Sequence, residues 1–552
     1  MDSRRTADSR VSLARAGWVG VAAVAVAMGV GHLVAALTEP SASPVVALAA
    51  RVIDASPKPL KDWAVAALGT LDKPVLLAGV MAVAVGLGVV AGRLSSRRMV
   101  YGWALVGGLG GVVIAAAVVG PNASVRSVLP GVAAMLAGGF ALWRLLPLAE
   151  GPSTNSGTEN GGSGTWVGGG PSTGSGTERP GWGSGLGGSG TGAAGDLELA
   201  EAEASRRRLL LGVAGTISLG LISGVAGALV PPSKQFRIVT LPTAARPLPP
   251  PVASLPVEGM PPYLTPQDEL YRVDINVAVP QLDAGEWRLD IDGMVDRPYS
   301  LTWDDLVGLE VVERDSTLLC VSNEVGGTYV GHVRWRGVRT KDLLARAGVK
   351  PGADMVLSTS TDSFTVSTPL EALIDDREAL IAIGMNGELL TAEHGFPARL
   401  VTPGLYGFVG ATKWLRRLTV TRFEDRTAYW TTRGWSDRAP IKLASRIATP
   451  ASFRPLKPGP VAIGGTAWAS RVVVSKVEVR IDGGAWQEAT LGPDGGVDSW
   501  RQWYLTWDAT PGAHTIECRA WSADGKVQSV GPVPVDPDGP EGYHLLKVQV
   551  GA

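Results

Sequence analysis

Long apolar runs separated by short polar breaks fill the first 150 residues, at about 16–37, 74–92, 100–120 and 127–147. Each approaches the ~20 residues a helix needs to cross a bilayer. A fifth run follows a long gap, at 209–230. None carries a charge at its centre that would mark a proton relay or ion path, so the runs predict an anchor rather than a transporter. After residue 261 the pattern changes to short alternating runs mixed with helical periods. Glu286–Ile291 reads as a strand and Thr340–Ala347 as a helix. From about 455 alternation dominates: Lys476–Ile481 ends at the Gly483-Gly484 turn, and His514–Ala520 places Ile516, Cys518 and Ala520 on one face. Strands at this spacing predict an immunoglobulin-like β-sandwich, with Cys518 a small buried hydrophobe.

The segments between are linkers by composition. Residues 151–204 are rich in Gly, Ser and Thr and repeat PSTNSGTE (152–159) as PSTGSGTE (171–178). Such a chain buries too little apolar surface to offset its entropy and predicts a coil spanning roughly 35–40 Å. Residues 232–260 are Pro-rich and predict an extended linker. The expected organisation is therefore a four-helix membrane region (1–150), a tether (151–204), a fifth spanning helix (205–231), a second linker (232–260), an α+β domain (261–448) and the sandwich (449–552).

Charge sets the orientation. Arg4, Arg5, Arg10 and Arg15 precede the first span, Arg93, Arg97 and Arg98 follow the second, and Arg206–Arg208 precede the fifth. With alternating spans these fall on one side, which the positive-inside rule makes the cytoplasm. An odd number of spans then puts residues after 231 outside it. Ser205-Arg206-Arg207-Arg208-Leu209-Leu210 reads either as a twin-arginine export signal or as an ordinary basic flank. Charged residues make up 18% of the chain, against roughly 25% in soluble proteins, in keeping with membrane segments. The net charge of −1 leaves no footprint for nucleic acid. Two cysteines form no disulfide framework. With five histidines, of which His32 alone falls in an apolar run, a transmembrane bis-histidine haem is unsupported.

Cys320 ends a strand-like run, Ser316-Thr317-Leu318-Leu319-Cys320. By itself it reads as a buried thiol. Its surroundings change that reading. Trp335-Arg336-Gly337-Val338 follows, then Met385-Asn386-Gly387, His394-Gly395-Phe396-Pro397-Ala398-Arg399-Leu400-Val401-Thr402-Pro403-Gly404 and Lys413-Trp414. This order resembles the molybdopterin-dependent oxidoreductases of the sulfite oxidase family. The C-terminal stretch, with Gly465–Ala469 and Trp500–Trp503, is similar to that family's dimerisation domain, so the resemblance covers about 261–550.

The resemblance implies an α+β molybdopterin-binding domain followed by the sandwich. Cys320 would be the protein's sulfur ligand to molybdenum, a soft thiolate on a redox metal. Asn276, Asp362, His394, Arg399, Thr412 and Lys413 would surround the pterin and its phosphate, Arg399 with a fork of donors and Lys413 as a point charge. The substrate side departs from sulfite oxidases. Where they carry arginines four and five residues after the cysteine, this chain has Glu324 and Val325, which repels a sulfite dianion. Their pocket tyrosine is replaced by Trp435, five residues after Trp430, and a tryptophan cannot supply the same hydroxyl. The implied activity is oxygen-atom transfer to or from a small sulfur or nitrogen oxo compound. The partners implied are that substrate, a cytochrome or quinone-linked redox protein, membrane lipid and a second copy of the chain. S- or N-oxide reduction on the same scaffold is one alternative, and a non-catalytic receptor or adhesion module another.

Overall fold

The computed structural model describes residues 2–57, 60, 63–64, 67–68, 71–119, 125–149, 192–229 and 237–551. The tether over 151–191 lies outside them. The chain divides into two compact units, a helical one ending near Ser233 and a largely β one beginning near Lys234.

The helical unit contains α1 (Asp2–Thr38), α2 (Pro44–Ala55), α3 (Asp72–Ser95), α4 (Met99–Val118), α5 (Leu129–Ala149) and α6 (Gly192–Leu229). α1 is central and packs against α3, α5 and α6. Glycines let it do so: a Cβ on Gly20 would lie 1.8 Å from the Gly88 carbonyl oxygen, and one on Gly29 1.9 Å from that of Gly220. Backbones in direct contact are the packing expected where hydrocarbon supplies no hydrophobic drive. Leu13–Thr38, Asp72–Ser95, Met99–Val118, Val125–Ala149 and Glu203–Leu229 are long and apolar enough to cross a membrane. α2, with 12 residues, spans about 18 Å and is too short. One boundary differs from expectation. Helix begins at Gly192, inside the stretch read as tether up to 204, because Ala, Leu and Glu from Ala193 to Ala204 favour helix.

In the second unit the Pro-rich stretch is extended but not a free linker. From residue 237 it is docked: Ala245 N–H donates to the Val311 carbonyl (2.8 Å), Leu248 N–H to Glu313 Oε2 (2.9 Å) and Leu255 N–H to Gln502 Oε1 (2.8 Å). Ten strands follow: β1 (Arg288–Gly293), β2 (Tyr299–Thr302), β3 (Val311–Leu319), β4 (Val330–Arg339), β5 (Met355–Ser360), β6 (Thr365–Pro369), β7 (Leu380–Met385), β8 (Glu388–Leu389), β9 (Arg399–Val401) and β10 (Leu415–Thr421). They form two sheets, ordered β2-β1-β10-β5-β6 and β3-β4-β7-β8, with β9 beside β7. Leu289, Ile291, Val338, Ile381, Leu400 and Leu418 fill one core, closed by Leu343 and Leu344 of the helix Thr340–Ala347. That helix matches its expected span.

The C-terminal region is two more sheets. β11 (Ala444–Thr449), β13 (Gly459–Trp468), β17 (Arg501–Ala509) and β16 (Thr490–Leu491) form one, in the order β11-β13-β17-β16. β12 (Pro455–Leu456), β19 (His544–Val550), β18 (Gly512–Ser522), β14 (Val474–Ile481) and β15 (Gln487–Glu488) form the other, in the order β12-β19-β18-β14-β15. Ile447, Ile463, Val477, Val479 and Trp503 pack between them with Ile516, Cys518 and Ala520, which face inward as the alternation predicted. Because β11 pairs with β13, this region starts at Ala444, ahead of the expected 449.

Candidate active site

β3 delivers Cys320 one residue past its last pair. A tight loop holds it there: Cys320 N–H donates to the Tyr329 carbonyl (3.0 Å), Asn323 N–H to the Cys320 carbonyl (3.1 Å) and Tyr329 N–H to Asn323 Oδ1 (2.7 Å). At the loop's turn Gly326 has φ +81°, and a Cβ there would lie 2.3 Å from the His544 ring. The imidazole at the start of β19 therefore sets the limit of the cysteine loop. Ile447 N–H donates to His544 Nδ1 (2.9 Å), so the other ring nitrogen carries the proton. Burial, with Arg446 nearby, lowers this histidine to about 4. Cys320 Sγ lies 3.0 Å from Ser322 Oγ, and burial pushes its thiol up. A thiolate at this position needs a strong cationic partner, such as a metal.

A polar network converges from four segments. Lys413 Nζ donates to Asp274 Oδ2 (2.6 Å) and to the Glu393 carbonyl (3.1 Å). Arg272 also pairs with Asp274 (2.8 Å). Asp274 Oδ1 accepts from Asn276 N–H (3.1 Å), and the Asn276 amide donates to Asp362. His394 Nε2 donates to the Gln267 carbonyl (2.8 Å), and Arg399 Nη1 to the His394 carbonyl (3.2 Å). Gly395, at φ +103°, allows the two parts to meet, since a Cβ there would lie 3.0 Å from Lys413 Cα. Trp414 sits at φ +50°, strained for a bulky residue. Its indole N–H to the Ala392 carbonyl (2.8 Å) and its own carbonyl's bond from Thr361 N–H (2.9 Å) hold it, and Lys413 with it.

The electrostatics of this network point outward from the protein. Arg399 is buried and, among the described residues, forms no ion pair; its Nε has no hydrogen-bond partner. Burial lowers it to about 10 and Lys413 to about 8, and it lowers His394 to about 4 with help from Arg399. Gln267 Oε1, Ser360 Oγ and Thr361 Oγ1 are also buried without partners. Each such group costs about 1–3 kcal/mol. A cleft of about 720 Å³ opens alongside, walled in part by Gln267, Leu270, Arg272, Asn386 and His394. A buried guanidinium with no carboxylate of its own suits a phosphate, and the unpartnered amide oxygen and hydroxyls suit a polar ligand attached to it. No three His, Cys, Asp or Glu side chains converge among the described residues, so a metal at Cys320 would need further ligands from outside the protein.

The residues on either side of Cys320 pack into a cluster that contains aromatic rings. Leu319 and Val321 share a cluster with Tyr406, Phe408 and Trp435. The rings continue in edge-to-face and tilted contacts: Phe408 to Trp435 (5.7 Å), Trp435 to Trp430 (6.1 Å), Trp430 to Tyr429 (5.2 Å) and Tyr429 to Phe364 (5.3 Å). Phe364 in turn donates its N–H to Asp362 Oδ1 (3.0 Å), closing an arc between the cysteine and the polar network. Arg433 stacks on Tyr429 at 3.6 Å and donates to its carbonyl. Glu324 is exposed.

The structure thus gathers Asn276, Asp362, His394, Arg399 and Lys413 in one network and Cys320 with Trp435 beside an aromatic arc. It does not bring the Thr412 side chain to either. That hydroxyl lies 2.6 Å from Ser358 Oγ inside the sheet, and both residues are fully buried. Sequence reasoning missed Asp274, which ties Lys413 to Asn276. It also missed His544, which is distant in sequence and carries no local signal.

Residues 276–430 match the family model described as an oxidoreductase molybdopterin binding domain. The uncharacterized oxidoreductase YuiH of Bacillus subtilis (strain 168) is 35% identical over 156 residues, 28% of this chain and 75% of that protein. Human mitochondrial sulfite oxidase is 30% identical over 320 residues, 48% of this chain and 57% of its own length. Nitrate reductase [NADH] 1 of Oryza sativa subsp. japonica is 33% identical over 207 residues, 33% of this chain and 22% of its own length. The crystal structure of the sulfane dehydrogenase SoxCD from Paracoccus pantotrophus aligns at TM-score 0.46 and 25% identity, over 52% of this chain and 81% of that one. The alternative of a non-catalytic receptor falls with these sequence matches: the chain belongs to the sulfite oxidase family of molybdopterin-dependent oxidoreductases, and it is an enzyme whose cofactor is Mo-molybdopterin.

Proposed function

We propose that this enzyme is anchored in the membrane and transfers an oxygen atom to or from an uncharged or zwitterionic sulfur or nitrogen oxo compound, in preference to sulfite. The observation that carries this reading is the aromatic arc beside Cys320, with the acidic Glu324 where sulfite oxidases place a cation. An oxyanion there meets ring faces and a like charge, both unfavourable. A small neutral group meets apolar surface.

The geometry supports the following roles. Cys320 contributes the protein's sulfur to molybdenum. Arg399 and Lys413 hold the pterin's phosphate, the first with buried donors that have no carboxylate of their own, the second steered by Asp274. His394 donates from one ring nitrogen to the Gln267 carbonyl, which leaves the other as an acceptor for the ligand. Asn276 and Asp362 lock each other at the pterin edge. Trp435 shapes the mouth and excludes water. The bound cofactor supplies the two-electron chemistry; the protein binds, orients and sets the local field.

The paired C-terminal sheets fit an immunoglobulin-like sandwich that also joins two copies of the chain. The arginine clusters support a catalytic part outside the cytoplasm. Arg206–Arg208 there act as a twin-arginine signal, suited to export of a domain already folded around its cofactor. Electrons then pass singly to or from a membrane-proximal cytochrome or quinone-linked protein.

Turnover of methionine sulfoxide with a reduced dye, compared with turnover of sulfite with cytochrome c, tests the substrate. The expected result is a kcat/KM at least tenfold higher for the sulfoxide. Preference for sulfite would overturn the reading.

A further inference from the structure

Between β18 and β19 the chain runs out of the sandwich, and the tip of that loop, 536–541, lies against the segment that carries Trp435. Ser436 N–H, the next along from Trp435, donates to the Pro537 carbonyl (3.1 Å). Gly539, at φ +103°, passes over Tyr406, since a Cβ there would lie 2.6 Å from the phenol oxygen. Trp435 and Tyr406 pack in the cluster that includes Leu319 and Val321, the neighbours of Cys320. The tip reads Asp-Pro-Asp-Gly-Pro-Glu and carries no large apolar side chain, so burial does little to hold it. Ionic contacts hold it instead. Lys442 Nζ donates to Asp538 Oδ1 (2.9 Å) and to the Gly539 carbonyl (2.8 Å), and it pairs with Glu541 Oε1 (3.1 Å). An ammonium has three N–H groups, and three oxygens of this one loop take them. The lysine is itself anchored, because its neighbour Ile441 is buried and donates its N–H to the Gly404 carbonyl (3.0 Å).

We propose that Lys442 is a positioning residue for substrate selection, latching the 536–541 loop onto the Trp435 segment and so fixing the indole at the mouth. This rests on the reading of Trp435 given above. Burial opposes the charge on Lys442, but its bonds to Asp538 and Glu541 hold the ammonium above its ordinary value, so the latch stays charged across the working pH range. Without the ammonium, Asp538 and Glu541 repel one another and the tip lifts. Ser436 then loses its acceptor, and Trp435 loses part of what fixes it. Cys320 keeps the bonds of its own loop to Tyr329 and Asn323. The chemistry therefore survives while substrate affinity falls.

The test uses the full-length, cofactor-loaded protein with 5-fluorotryptophan introduced at position 435, as parent and as Lys442→Met. Lys476→Met, which removes a lysine paired with Glu478 within β14, is the control. Fluorine NMR reads the indole, and methionine sulfoxide reduction by a reduced dye reads KM and kcat. The expected result for Lys442→Met is a shifted or broadened fluorine resonance and a KM at least fivefold higher, with kcat within twofold of the parent. The control should match the parent in all three. An unmoved resonance in Lys442→Met overturns the inference, whatever the kinetics. Should Lys442→Met fail to fold, Asp538→Asn combined with Glu541→Gln removes the latch from the loop side, and the same resonance must move. A Trp435→Ala variant with the parent's KM would instead sink the role given to Trp435, and a parent inactive on methionine sulfoxide would sink the proposed substrate class.

Discussion

The two ends of the active site solve opposite problems. At the pterin end, Arg399 is buried without a carboxylate and Lys413 shares Asp274 with Arg272, leaving positive charge in excess. At the proposed substrate end, five rings run from Phe364 to Phe408, with Arg433 stacked on Tyr429 and Glu324 exposed. A protein that wanted an oxyanion beside its metal would put cations at both ends. Under the proposed reading this one gathers unpaired positive charge where the cofactor's phosphate would sit, and at the mouth leaves Arg433 stacked on Tyr429 and Glu324 exposed on the cysteine loop. The difference separates two functions that family membership alone would merge: holding the cofactor and, in the reading proposed above, choosing a substrate other than sulfite.

Both ends nevertheless share a neutral imidazole, and this gives the largest expected effect. His394 at the pterin end, His544 at the mouth and the buried His332 all have folded values of about 4, lowered chiefly by burial. Their unfolded value is near 6.5. Between those limits the unfolded chain binds more protons, so stability is complete above about pH 6.5 and falls as pH drops toward 4. Each histidine contributes up to about 1.4 kcal/mol per pH unit. Denaturant melts of the cofactor-free protein between pH 7 and 4 should show this slope, and a flat profile would contradict it.

Arg399→Leu breaks the comparison at the pterin end. Losing charge-assisted hydrogen bonds worth about 1.5–3 kcal/mol should weaken cofactor retention roughly ten- to a hundredfold. The same change removes an unpaired buried cation, so the cofactor-free protein should melt higher. Opposite signs in the two measurements are the signature of a residue kept for its ligand. The mouth offers the smaller effect. Glu324→Arg restores a cation, but the position is exposed and screened, so sulfite kcat/KM should rise about fivefold. No rise would mean that the aromatic arc alone excludes the anion.

Much of this was legible in the chain. The apolar runs found the long helices because a membrane span is a one-dimensional pattern. The alternation in β18 found the inward face of Ile516, Cys518 and Ala520 because a half-buried strand is one too. Motif order singled out Cys320, His394, Arg399 and Lys413, and the last three meet in one polar network. What stayed hidden depends on contacts between distant segments. Asp274 looks like a solvated acid until Lys413 and Arg272 close on it. Thr412 sits between motif residues, yet its side chain turns into the sheet toward Ser358. His544 reaches the cysteine loop from the last strand. The two shifted boundaries have different causes: local propensity of the Ala/Glu/Leu stretch extends a helix back to Gly192, whereas Ala444–Thr449 is drawn into the C-terminal region by pairing with β13.

X-ray absorption at the molybdenum edge probes the metal's immediate neighbours in the loaded protein. With Cys320 bonded to the metal, the Cys320→Ala variant should retain pterin but show one sulfur scatterer fewer than the parent. Equal sulfur counts in the two proteins would contradict the assignment of Cys320.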